Sequence, residues 1–90
     1  MFNNKAILIT GGTGSFGNKM TKYLLDSYDV RKIVIYSRDE FKQWQMAERL
    51  KDHADKLRFY IGDVRDAQRL HRAFHEIDYV IHAAALKPGM

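Results

Sequence analysis

Cysteine is absent from the 90 residues, proline occurs once, at Pro88, and tryptophan once, at Trp44. Without a thiol, disulfides, cysteine nucleophiles and thiolate metal sites are excluded. No apolar run approaches the roughly 20 residues that cross a bilayer, and the amino terminus lacks the charged-then-apolar opening of a signal peptide. A cytoplasmic setting without membrane contact is the expectation. Charge of one sign is in modest excess: 15 Lys and Arg against 11 Asp and Glu give a net +4. The basic residues are interleaved with acids, as in Lys51-Asp52 and Asp55-Lys56. That pattern describes a solvated surface rather than a nucleic-acid face. A chain of this length has room for one small domain with a modest core.

What is present is an alternation of two periods. Lys5 to Thr10 is a continuous apolar run rich in isoleucine, suited to a strand buried on both faces. From Phe16 to Tyr28 the residues Phe16, Met20, Tyr23, Leu24 and Tyr28 recur at helical spacing and predict one apolar face. Lys32 to Tyr36 returns as a second buried strand. A second helix pattern then places Phe41, Trp44, Ala47 and Leu50 on one side, where the aromatic pair reads as core packing rather than a base-stacking platform. Leu57 to Ile61 is a third strand. Asp66 can cap a third helix whose stripe is Leu70, Ala73, Phe74 and Ile77, and Asp78 to Ala85 is a fourth strand. Strands alternating with helices over short connections mean βαβ units and a parallel sheet. Right-handed crossovers then predict an α/β, Rossmann-like sheet with helices on both faces and strand order 3-2-1-4. A ligand cleft would open beyond the carboxyl ends of the first and fourth strands.

The glycine turn Gly11-Gly12-Thr13-Gly14-Ser15-Phe16-Gly17 sits at that cleft. A Walker loop needs a lysine and a hydroxyl directly after its last glycine, and Gly17 is followed by Asn18, Lys19 and Met20, so that template fails. Gly11, Gly14 and Gly17 instead fit the looser dinucleotide spacing, in which a strand bends through glycines into a helix whose amides face a diphosphate. At the end of the second strand, the position that selects between NAD and NADP falls on Ser37, with Arg38 next and Lys42 one helical turn on. A hydroxyl and a guanidinium form a phosphate cup, so NADP is favoured. Asp39 keeps NAD as the alternative, because a small register shift would offer its carboxylate to the ribose.

Three segments in this order, Thr10-Gly11-x-x-Gly14-x-x-Gly17, Asp63-Val64-x-Asp66 and Asp78-x-x-x-His82-x-Ala84-Ala85, resemble the amino-terminal motifs of the extended short-chain dehydrogenase/reductases. The stretches ITGGTGSFG, YSRDE, FYIGDVRD and HAAALK are similar to the inverting UDP-N-acetylglucosamine 4,6-dehydratases, the polysaccharide-biosynthesis branch of that superfamily. The resemblance implies that Gly11, Thr13, Gly14, Ser15, Phe16 and Gly17 form the pyrophosphate turn. It implies that Ser37, Arg38, Asp39 and Lys42 surround the adenosine ribose and its phosphate. Asp63 would accept from the adenine amino group and Val64 would pack on the ring. Ala83, Ala84 and Ala85 would let the backbone pass the nicotinamide ribose, and Lys87 would reach a phosphate of cofactor or substrate.

In such dehydratases a hydride leaves the sugar's fourth carbon, water is lost across carbons five and six, and the hydride returns at carbon six. Their Tyr-x-x-x-Lys pair lies beyond the stretch matched here. Tyr28 with Lys32 has the same spacing but belongs at the far end of the first helix, and neither is assigned a catalytic role. Residues 1–90 are therefore expected to be an NADP-binding segment that stops before the catalytic and substrate regions and binds cofactor without turnover. The tail Pro88-Gly89-Met90 departs from the family's histidine-containing loop. Alternatives are a nucleotide-sugar 4-epimerase or reductase of the same superfamily, and a non-catalytic segment that oligomerises through an exposed fourth-strand edge. A UDP-sugar is the implied partner. His71 and His75 read as a wet helix face rather than a metal pair, and His82 as a core histidine with a structural hydrogen bond.

Overall fold

A computed structural model describes residues 1–83. In chain order the elements are β1 (Ala6–Thr10), α1 (Ser15–Ser27), β2 (Lys32–Ser37), α2 (Glu40–Arg49), a 3-10 turn at Lys51–His53, β3 (Leu57–Ile61), α3 (Ala67–Ala73) and β4 (Tyr79–His82). The strands form one parallel sheet ordered β3-β2-β1-β4. The expected class, α/β and Rossmann-like with that strand order, is the one observed. Among the described residues no helix is long and apolar enough to cross a membrane.

The unbroken apolar runs of β1 and β2 follow from their central place, since a strand covered on both faces has no solvent side on which to put polar residues. Ile7, Ile9, Ile33 and Ile35 pack on one face with Leu24 of α1 and Met46 of α2. Leu8, Val34 and Tyr36, on the alternate positions, meet Ala73, with Leu70, Phe74 and Ile77 packed around them. The third helix covers the second face through Leu70 and Ala73 of its expected stripe, while Phe74 is its C-cap and Ile77 packs there from the turn beyond it, and the Asp66 carboxylate caps the helix by accepting from the Arg69 amide at 3.1 Å.

Two expected helix faces are rotated. In α1 the buried residues are Gly17, Thr21 and Leu24, while Phe16 and Tyr23 are about half exposed. Small residues occupy the inner face because the helix runs against the glycine turn. In α2 the buried residues are Gln43 and Met46, and the predicted core aromatics Phe41 and Trp44 lie outside, stacked on each other at 6.2 Å. The reason is polar: the Gln43 amide donates to the Ser37 hydroxyl at 3.0 Å and to the Tyr60 carbonyl at 3.1 Å, satisfying groups at the ends of β2 and β3. That anchor fixes which side of α2 faces inward. His82 is also corrected, being exposed rather than in the core, although its Nδ1 lies 2.9 Å from the Thr10 hydroxyl as the expected structural bond requires.

Candidate functional site

Pairing of Thr10 with Tyr36 and with His82, and of Ser37 with Ile61, brings the carboxyl ends of all four strands to one level. The turn from β1 to α1 sits on that level. Gly11 has φ 64°, a conformation that side chains resist, and its amide donates to the Tyr36 carbonyl at 2.8 Å. A Cβ at Gly17 would lie 2.4 Å from the Gly12 carbonyl oxygen, so the helix can approach the turn this closely only without a side chain there. The Asn18 amide group donates to the carbonyls of Thr13 and Gly14, at 3.0 and 2.9 Å, and Asn18 in turn accepts from Arg49. These bonds hold the turn from behind.

Its front is open. Gly14 is the N-cap of α1, and among the described residues no side chain caps that end and a Cβ at Gly14 would meet only the Gly11 carbonyl, at 3.4 Å. The first-turn amides of a helix have no partner within it, so this end offers donors and a positive dipole to an anion.

The turn opens onto a cavity of about 560 Å³ whose walls include Gly11, Thr13 and Gly14 on one side and Ser37, Arg38, Asp39 and Lys42 on the other, with Tyr36, Gly62, Val64 and Arg65 closing the third. Eight of the sequence-predicted residues thus share one wall system: Gly11, Thr13, Gly14, Ser37, Arg38, Asp39, Lys42 and Val64. Ser37 is nearly buried, and the Asp39 carboxylate is engaged as the α2 cap, accepting from the Lys42 amide at 3.0 Å. Arg38 is mostly exposed, with one contact to Asp63 at 3.5 Å.

The remaining predicted residues stand elsewhere. Ser15 and Phe16 are exposed on the first turn of α1, and Gly17 lies behind the glycine turn as a packing residue. Ala83 is half-buried against the core beside β1. Ala84, Ala85 and Lys87 lie outside the described residues. Asp63 follows β3 at the rim, and its carboxylate is held by the Arg65 guanidinium. Those hydrogen bonds, with a further one from the Arg65 amide, hold its pKa well below the usual carboxylate range. Tyr28 caps the far end of α1 and packs edge-on against Phe2 at 5.2 Å, away from this rim.

Three wall residues escaped the sequence reading. Tyr36 was legible only as a strand residue, yet its hydroxyl donates to the Asp63 carbonyl at 2.9 Å, and burial pushes its phenol above the ordinary value. Gly62 passes so close to that ring that a Cβ would fall 2.4 Å from the Tyr36 hydroxyl. Arg65 sits at an unspecified position of its motif; the signal for it was the D-x-R spacing, in which an Asp side chain commonly receives the amide two residues on.

The family model for polysaccharide biosynthesis protein matches residues 7–88. The chain belongs to the polysaccharide biosynthesis protein family. Among curated relatives, the inverting UDP-N-acetylglucosamine 4,6-dehydratase of Campylobacter jejuni is 59% identical over 87 residues, covering 97% of this chain and 25% of the relative. A UDP-glucose 4-epimerase of Rickettsia typhi is 52% identical over 90 residues, covering 97% of this chain and 26% of its own. The chain therefore spans about a quarter of the length of the curated relatives it matches. Among solved structures, Pen from Bacillus thuringiensis superposes with a TM-score of 0.89 at 36% identity, over 96% of this chain and 27% of that one. Dehydratases and epimerases of UDP-sugars thus both match this stretch.

Proposed function

We propose that these residues form the NADP-holding part of a nucleotide-sugar 4,6-dehydratase acting on UDP-N-acetylglucosamine. The observation that carries the reading is the single cavity joining an uncapped glycine turn to two cations, Arg38 and Lys42, at the end of β2. A diphosphate fits the first and a ribose phosphate the second. The donor set suits the group: at Gly14 no side chain obstructs the amides, and the nearest carboxylates are engaged, Asp39 by the α2 amide and Asp63 by Arg65. Neither competes freely for the two cations.

Each residue then has a task. The amides at Thr13, Ser15 and Phe16 bind the pyrophosphate, that of Gly14 being held by the Gly11 carbonyl at 3.1 Å, Arg38 and Lys42 neutralise the phosphate on the adenosine ribose, and the Ser37 hydroxyl, oriented by Gln43, donates to it. Val64 packs against the adenine and Asp63 accepts from its amino group. Behind them, Gly17 and Asn18 fix the turn. When bound, the cofactor supplies a nicotinamide ring able to take a hydride from the sugar and return it. Residues 1–83 position that ring and hold none of the acid or base groups that move the protons of the dehydration.

A second reading, a UDP-sugar 4-epimerase, is favoured by the Rickettsia relative. A longer protein that carries these residues, incubated with UDP-N-acetylglucosamine, separates the two by mass, because a dehydratase yields a product lighter by one water and an epimerase an isomer of unchanged mass. Micromolar binding of NADP supports the cofactor reading, and failure to bind either nicotinamide dinucleotide would favour a non-catalytic oligomerising segment.

A further inference from the structure

We infer that Arg65 is a positioning residue that sets the preference for NADP over NAD, by occupying Asp63 so that Arg38 stays available to a ribose phosphate. The inference rests on the cofactor reading above.

The Asp63 carboxylate lies between two guanidiniums that hold it very unequally. Arg65 reaches both of its oxygens, Nε at 3.1 Å from Oδ1 and 3.2 Å from Oδ2 and Nη2 at 2.8 Å from Oδ2, and the Arg65 amide adds a fourth bond to Oδ1 at 2.9 Å. Arg38 has one contact, Nη1 to Oδ2 at 3.5 Å, at the limit of a hydrogen bond. A planar guanidinium and a carboxylate pair best through two parallel bonds, and Arg65 already takes that geometry. Arg38 is left with a long, exposed contact that is easily exchanged for a phosphate.

The backbone carrying this carboxylate is pinned as well. The Tyr36 hydroxyl holds the Asp63 carbonyl at 2.9 Å, and Gly62 presses against the Tyr36 ring. Asp63 therefore cannot withdraw from the rim, and a carboxylate fixed there without Arg65 would draw Arg38 onto itself. The Asp39 carboxylate, next to Arg38 in sequence, is engaged as the α2 cap. Arg65 thus decides whether the charge facing the ribose is free or neutralised.

The test is the ratio of NADP to NAD dissociation constants, measured by calorimetry on the protein and its variants. Arg65→Met should weaken NADP by about fivefold or more while leaving NAD within about twofold, and Arg65→Lys, which lacks the fork, should fall between. In an Asp63→Asn background no carboxylate remains to capture Arg38, so adding Arg65→Met should leave the ratio unchanged. An unaltered ratio in Arg65→Met alone overturns the inference. So does a loss that persists in the Asp63→Asn background, which would mean that Arg65 touches the cofactor directly. If the parent protein prefers NADP through Arg38 and Arg65→Met keeps that preference, this inference alone fails. If the parent protein binds neither dinucleotide, both readings fall together.

Discussion

Replacing Gly17 with alanine isolates the packing that shapes the turn. The added Cβ would stand 2.4 Å from the Gly12 carbonyl oxygen and 2.5 Å from the Gly12 carbonyl carbon and Cα. All three atoms are backbone, so no rotamer change relieves the contact, and α1 must back away from the turn by about 1 Å to restore ordinary van der Waals separation. Overpacking of this kind costs about 1–3 kcal/mol, offset by at most about 1 kcal/mol from replacing a helical glycine. A net loss of about 1–2 kcal/mol lowers the melting temperature of a domain this size by roughly 5–15 °C. Differential scanning calorimetry or urea unfolding reads it. Gly14→Ala is the matched control, because its Cβ would meet only the Gly11 carbonyl, at 3.4 Å, and its φ of −76° suits any residue. It should stay within about 1 kcal/mol of the parent protein while crowding a ligand at the turn. A Gly17→Ala protein as stable as the parent, or a Gly14→Ala protein equally destabilised, would refute the packing account.

Met46→Ala empties a fully buried site on the inner face of α2 and should cost about 2–5 kcal/mol in denaturant unfolding, whereas Trp44→Gln, on the exposed side, should change stability by no more than about 0.5 kcal/mol. The reverse order would restore the aromatic face as the core. The Thr21 hydroxyl is buried without a hydrogen-bond partner among the described residues, so Thr21→Val should raise stability by about 1 kcal/mol; a loss would reveal a partner. Acid should destabilise the fold. The Asp78 carboxylate accepts the Ala6 amide at 2.8 Å, a bond that, with Lys5 and Arg31 nearby, lowers its pKa, and Arg65 lowers that of Asp63. Each contributes stability above the ordinary carboxylate pKa of about 4 that disappears as the pH falls through the lower folded value. The melting temperature should therefore drop below about pH 4, less steeply in Asp78→Asn, and an unchanged slope in that variant would count against Asp78.

The central fold was legible because β1 and β2 are sandwiched between layers and so consist of uninterrupted apolar residues, while the glycines between β1 and α1 mark a turn whose positive φ at Gly11 glycine adopts at least cost. Helix faces were less legible, since apolar periodicity assumes that inward residues are apolar. Gln43 faces inward because two strand ends need its amide, and Gly17 and Thr21 do so because space, not hydrophobicity, limits that side of α1. At the site, register alone placed Ser37 and Arg38. The contribution of Tyr36 depends on a bond to the loop after β3, a link between segments that no local pattern encodes, whereas that of Arg65 is local to its D-x-R turn.

The most direct test of the account is a titration of the protein with NADP and NAD, repeated on Arg38→Ala. Micromolar NADP binding, weaker NAD binding, and a loss in the variant of about 1–3 kcal/mol for NADP with little change for NAD are the predicted results. Absence of binding to either dinucleotide, or an equal loss for both in Arg38→Ala, would contradict the claim that the glycine turn and the end of β2 together hold the cofactor.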